Sequence, residues 1–130
     1  MLRYILVALL ALHGIVHGFG FGATWRIGPA GTVSATPSLI PGLAPDGPLA
    51  HVLGIFWLIA LLAFLGAAFG LLTDGAWWRI AAAAAAVVSL ALCVAWWSDG
   101  KAGAALDIGI LVAIVVYTLA GPAAALRGAS

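Results

Sequence analysis

Three histidines and a single acidic residue stand inside the long apolar runs of this sequence: His13, His17, His51 and Asp107. His13 and His17 are four residues apart, so on a helix they lie about 40° from each other on one face. Three imidazoles and one carboxylate would suit a tetrahedral Zn²⁺ or a copper ion. The same groups could pass protons or bind a small polar ligand. They could also do no chemistry, and simply form a satisfied network that fixes helix packing. An ionised aspartate in hydrocarbon is costly unless it finds a partner. Asp107 is therefore expected to face inward, bonded to a histidine, a tryptophan N–H or an inward-reaching Lys101. Haem is not expected: His13 and His17 share a face and cannot grip opposite sides of one ring system, and although His17 with His51 could, nothing else marks a haem site. Ser89 and Cys93 share a face of the third run with Trp96 and Trp97, and Cys93 reads as filler, since an apolar setting leaves a thiol inert. Phosphate-cradling loops, Gly-x-Ser-x-Gly and His-Glu-x-x-His are absent from the sequence.

The elements that must position these residues are four apolar runs, roughly Leu2–Gly22, Leu49–Leu72, Trp77–Trp97 and Ala102–Ala120. At about 1.5 Å of rise per residue, each is long enough to cross a hydrocarbon core of about 30 Å. Hydrophobic residues make up 65% of the 130-residue chain and charged ones 7%, too few charges for the surface of a soluble domain. The expected fold is all-α: a single integral membrane domain, an up-down bundle of four helices with lipid as its main partner. A net charge of +1 gives no footprint for nucleic acid. The lone Cys93 excludes an internal disulfide. His13 and His17 interrupt the first run, which reads as a retained span rather than a signal peptide.

Trp25, Trp77, Trp78, Trp96 and Trp97, with Tyr4 and Tyr117, fall where anchors at the membrane interface are expected. Trp57 lies deeper in its run and is expected inside the bundle. Thr73–Ala76 and Ser98–Lys101 read as short turns, with Asp74 and Asp99 as turn or cap residues. The remaining connection, 23–48, holds Pro29, Pro37, Pro41, Pro45 and Pro48, with Gly28, Gly31, Gly42 and Gly47. It reads as an external loop folded over the bundle mouth. Small residues recur every four positions: Gly14, Gly18 and Gly22; Gly66 and Gly70; Ala105, Gly109 and Ala113. Such stripes suit close helix packing or dimerisation.

Arg3, Arg79 and Arg127 flank one side of the runs, and Arg26 and Lys101 the other. The positive-inside rule then places both termini in the cytoplasm and the long loop outside. From the helical rise, His17, His13 and Asp107 lie about 7, 13 and 9 Å below the outer boundary, with His51 close to it. All four share the outer half of the bilayer.

The segments Leu12-His13-Gly14-Ile15-Val16-His17-Gly18-Phe19-Gly20 and Trp97-Ser98-Asp99-Gly100-Lys101-Ala102-Gly103, followed by Asp107, resemble a group of small uncharacterised bacterial four-span membrane proteins. In that group a His-Gly-x-x-His first helix precedes a Trp-x-Asp-x-Lys-x-Gly turn before the last helix. The resemblance covers about twenty residues and the architecture. It implies a bacterial cytoplasmic (inner) membrane location and gives pattern positions to His13, His17, Asp99 and Lys101, but it brings no activity. Asp107 departs from it, standing where the group often has Asn.

The favoured expectation is a non-enzymatic accessory or structural membrane component, within a larger assembly or a homo-oligomer. The alternative is a small-ligand site, metal-binding (Zn or Cu) or proton-relaying, built from His13, His17, His51 and Asp107.

Overall fold

Each apolar run is helical in the computed structural model of the chain, which describes residues 2–27, 32–45 and 47–127. Met1, Gly28, Pro29 and Gly31, and the side chains of Tyr117, Ala120 and Arg127, lie outside the described residues. The helices are α1 (Leu2–Trp25), α2 (Pro48–Leu72), α3 (Trp78–Ala95) and α4 (Trp97–Arg127). No strand occurs among the described residues. Three helices, over Arg3–Trp25, Pro48–Leu72 and Trp78–Ala95, are long and apolar enough to cross a membrane.

The termini of these helices follow from local chemistry. Pro48 occupies the first turn of α2, where its missing N–H costs nothing. At the far end Thr73 caps the helix and Asp74 takes a left-handed conformation (φ 59°). The Gly75 N–H then reaches back 2.8 Å to the Gly70 carbonyl, a closing bond typical of helix C-termini. Arg3 pairs with Asp74 at 2.8 Å and also donates to the Leu72 carbonyl, tying the start of α1 to this turn. The end of α1 repeats the device: Arg26 is left-handed (φ 53°), and the Ile27 N–H donates to Gly22 O at 3.0 Å.

Between α3 and α4 the structure departs from the sequence reading. Ser98–Lys101 is the first turn of α4 rather than a loop, and the chain reverses at Trp96 alone. Asp99 sits in that first turn, where a carboxylate complements the exposed N–H groups and the helix dipole. So abrupt a reversal brings backbones together. A Cβ at Gly100 would come within 2.4 Å of the Cys93 carbonyl oxygen, and one at Gly103 within 2.7 Å of Cys93 Sγ.

Two packed regions stack along the helices. One is wholly aliphatic and aromatic: Leu10, Phe64, Ala67, Ala68, Leu71, Ala82, Ala85 and Ala86. The other holds Trp57, Ala60, Leu92, Cys93, Trp96 and Ala104. α1 and α2 meet with their residue numbers running in opposite senses. Gly14 abuts Phe64, Gly20 abuts Trp57, and Gly54 abuts Thr24 and Trp25. Gly18 also faces α2, against Leu61, whereas Gly66 and Gly70 lie under the Trp77 ring. The α4 positions do not follow the stripe expectation. Ala105 and Gly109 are exposed, and nothing lies within 4 Å of a Cβ built at Gly109.

Candidate functional site

Between the two packed regions lies a chain of buried polar side chains contributed by three helices. His13 and His17 come from α1, Ser89 from α3 and Asp107 from α4; all are buried, and Ser89 and Asp107 are fully so. His13 Nε2 lies 2.8 Å from Asp107 Oδ1. The other carboxyl oxygen, Oδ2, lies 2.5 Å from Ser89 Oγ. Ser89 Oγ in turn lies 2.6 Å from His17 Nε2. The remaining His17 nitrogen, Nδ1, donates to the backbone carbonyl of His13 one turn below, at 2.7 Å. A four-residue spacing on one helix makes that last bond available. The path His13–Asp107–Ser89–His17 is thus unbroken.

The chain is held by packing as well as by hydrogen bonds. The two imidazoles meet edge to face at 4.8 Å, and Phe64 of α2 stands against both, 4.8 Å from His13 and 5.5 Å from His17. Trp57 covers His17 at 5.2 Å and meets Trp96 edge to face at 5.5 Å. Gly20 makes room for Trp57, since a Cβ there would fall 2.4 Å from the indole. In this setting an unpaired polar atom would be costly, so satisfaction of the set fixes how α1, α3 and α4 meet.

A cavity of about 280 Å³ borders this chain, lined by residues that include His13, His17, Trp57, Trp96, Cys93 and Leu106. Two of its wall residues, Val16 on α1 and Leu106 on α4, are exposed. The cavity therefore reaches the outer surface of the bundle between α1 and α4. Its loop-side end is closed by Val33 of the long connection and by Asp99 and Gly100. Several bonds hold the loop there. Asp99 accepts from the Ser34 N–H at 3.0 Å, the Trp96 indole donates to Ser34 O at 2.8 Å, and Leu39 N–H donates to Ala95 O at 3.0 Å. Two ring nitrogens beside the cavity are without partners. His13 Nδ1 has none among the described residues, and the buried indole N–H of Trp57 has no acceptor. A second cavity of about 350 Å³, between α2 and α3, is lined only by apolar residues such as Leu53, Phe56 and Leu92.

The structure brings together three of the four residues singled out from the sequence. His51 is not among them. Its ring lies 4.9 Å from Trp25, near the end of α1, and its carbonyl accepts from that indole at 3.2 Å. The α2 residue beside His17 is instead Trp57, six positions further on, about 9 Å along the helix. Equal depth did not mean proximity, because His51 opens α2 on the Trp25 side. Among the described residues no group of three or more His, Cys, Asp or Glu side chains is arranged to hold a metal ion. The four-ligand metal set is thus not assembled. Lys101 is not the partner of Asp107 either: it is exposed, with Nζ 6.0 Å from the centre of the Trp97 ring. Trp96, expected at the membrane interface, is fully buried against the loop, whereas Trp25, Trp77 and Trp97 are largely exposed and Trp78 is half-buried. Ser89 was missed. Its one sequence signal was a hydroxyl midway along an alanine-rich run, sharing a face with Cys93.

Comparison of the chain with protein-family models, curated proteins and solved structures gives no match.

Proposed function

We propose that this chain is an integral membrane protein, a four-span up-down bundle, with a small-ligand site in its loop-side half. The site would be the cavity beside His13 and His17, and the buried polar chain would exchange protons with its occupant. The observation that carries this reading is the unbroken path His13–Asp107–Ser89–His17, whose two end residues line a cavity. A network serving packing alone has no need of an adjoining space. The size suits a single-ring molecule, since benzene fills an engineered cavity of about 150 Å³. The opening between α1 and α4 faces lipid in this arrangement, so the occupant would arrive dissolved in the membrane. Three long apolar helices and the opposed contacts between α1 and α2 support the membrane half of the reading. With the positive-inside rule, both termini lie in the cytoplasm and the loop outside, in a bacterial cytoplasmic membrane.

The test is ligand-dependent stabilisation in lipid nanodiscs. Phenol, aniline and toluene are titrated against the wild type and His13→Gln. Saturable stabilisation by a hydrogen-bonding ring compound, lost in His13→Gln, supports the site; no saturable stabilisation by any of the three rejects it. A role as accessory subunit is favoured by a different observation, the open surface at Gly109 and Ala105 on α4. Crosslinking from Gly109→Cys would capture a partner helix only under that second reading.

A further inference from the structure

The hydrogen-bonded chain beside the cavity has a fixed proton count, and that count restricts what it can do. A backbone carbonyl only accepts, so His17 Nδ1 must carry a proton for its 2.7 Å bond to His13 O. His17 Nε2 then either accepts from Ser89, leaving the ring neutral, or donates to Ser89 as an imidazolium. Ser89 has a single O–H to give. If it donates to His17, it must accept from Asp107, which is then a carboxylic acid. If it donates to the Asp107 carboxylate, His17 must be charged. His13 Nε2 bonds the opposite carboxyl oxygen, leaving Nδ1 as the ring nitrogen without a bond among the described residues, and His13 lines the cavity.

We infer that the cavity takes a lipid-soluble weak acid of single-ring size, and that His13, Asp107 and Ser89 relay its proton to His17. This rests on the proposed reading of the cavity as a ligand site. Starting from neutral groups, the ligand O–H gives its proton to His13 Nδ1. His13 Nε2 passes its proton to Asp107 Oδ1, Oδ2 passes its own to Ser89 Oγ, and Ser89 passes its original proton to His17 Nε2. One O–H bond of the ligand breaks and one N–H bond forms at His17. The ligand becomes an anion hydrogen-bonded to His13 Nδ1–H, and His17 becomes a cation. Every hydrogen bond in the chain survives with its direction reversed, so no buried group is left without a partner at either end of the transfer.

The relay stops at His17. Its Nδ1 is held by a carbonyl of its own helix, and the rings of Trp57 and Phe64 pack against it. A proton delivered there has no onward path among the described residues, so the chain stores a proton for the ligand rather than conducting one across the bundle. The chemistry-bearing groups around it are few. α1 supplies the two histidines, α3 supplies Ser89 and Cys93 (3.9 Å from Ser89 Oγ), and α4 supplies Asp107. α2 presents the rings of Phe64 and Trp57.

The test uses the full chain in lipid nanodiscs, ¹⁵N-labelled at histidine, with 4-nitrophenol as the probe. The expected result is saturable binding with the probe absorbing as phenolate, and doubly protonated ¹⁵N shifts at His17 rather than His13. Ser89→Ala should still bind the probe, but with the phenolate fraction reduced about tenfold, the usual effect of losing one hydrogen bond to a charged group. Ser89→Thr, which keeps the hydroxyl, should restore it. Binding as neutral phenol in the wild type, or a proton resting on His13, overturns the relay while sparing the ligand site. An undiminished phenolate signal in Ser89→Ala overturns it as well. Absence of any binding removes the ligand site itself. If Ser89→Ala does not fold, the wild-type spectra decide alone, because the protonated ring is assigned by residue.

Discussion

The two halves of this bundle are built on different principles. In one, Leu10, Phe64, Leu71 and five alanines close the space with apolar contact alone. In the other, Trp57 and Trp96 leave a cavity, and a line of hydrogen bonds joins three helices beside it. Interchangeable dispersion contacts hold the first half. The second depends on particular atoms, because His13, Asp107, Ser89 and His17 must each meet a specific partner. Alanine-rich packing tolerates small changes since no geometry is unique to it. The polar half should not.

The sharpest way to break this contrast is Asp107→Leu, which strips partners from both His13 Nε2 and Ser89. It should destabilise the protein in detergent by about 3–5 kcal/mol, measured by reversible unfolding. Next is Gly20→Ala, whose methyl would meet the Trp57 indole at 2.4 Å. A loss of about 1–3 kcal/mol is expected, with altered Trp57 fluorescence as the indole shifts. In the apolar half, Leu10→Met keeps the volume and should cost less than about 1.5 kcal/mol. A larger loss there than for Asp107→Leu would erase the distinction between the halves. Gly109→Ala bounds the scale: with open space around the site it should be neutral or stabilising by up to about 1 kcal/mol through helix propensity.

Much of this arrangement could be read from residue types. The run lengths gave the helices, and the cost of a lone carboxylate among apolar neighbours required Asp107 to find a partner, which His13 provides. Depth along a helix also pointed Trp57 inward, where it is buried. What could not be read is azimuth. His51 was grouped with the other histidines on depth alone, yet α2 presents it to Trp25 and presents Trp57 to His17. Nothing local to Ser89 reveals that Asp107 and His17 flank it, since a hydroxyl on an apolar helix can as readily bond its own backbone. The Ser98–Lys101 segment read as a loop from its polar composition, but Asp99 is a good first-turn residue, and Gly100 and Gly103 permit a reversal at Trp96. Trp96 was drawn inside by that reversal and by its bond to Ser34.

That His13, Asp107, Ser89 and His17 act as one connected unit is best tested by a double-mutant cycle between His17→Phe and Asp107→Asn, two residues joined through Ser89. Unfolding free energies should show a coupling above about 0.5 kcal/mol that disappears when the cycle is repeated in Ser89→Ala. Strictly additive effects in the wild-type background would contradict the connected network and leave four separately packed side chains.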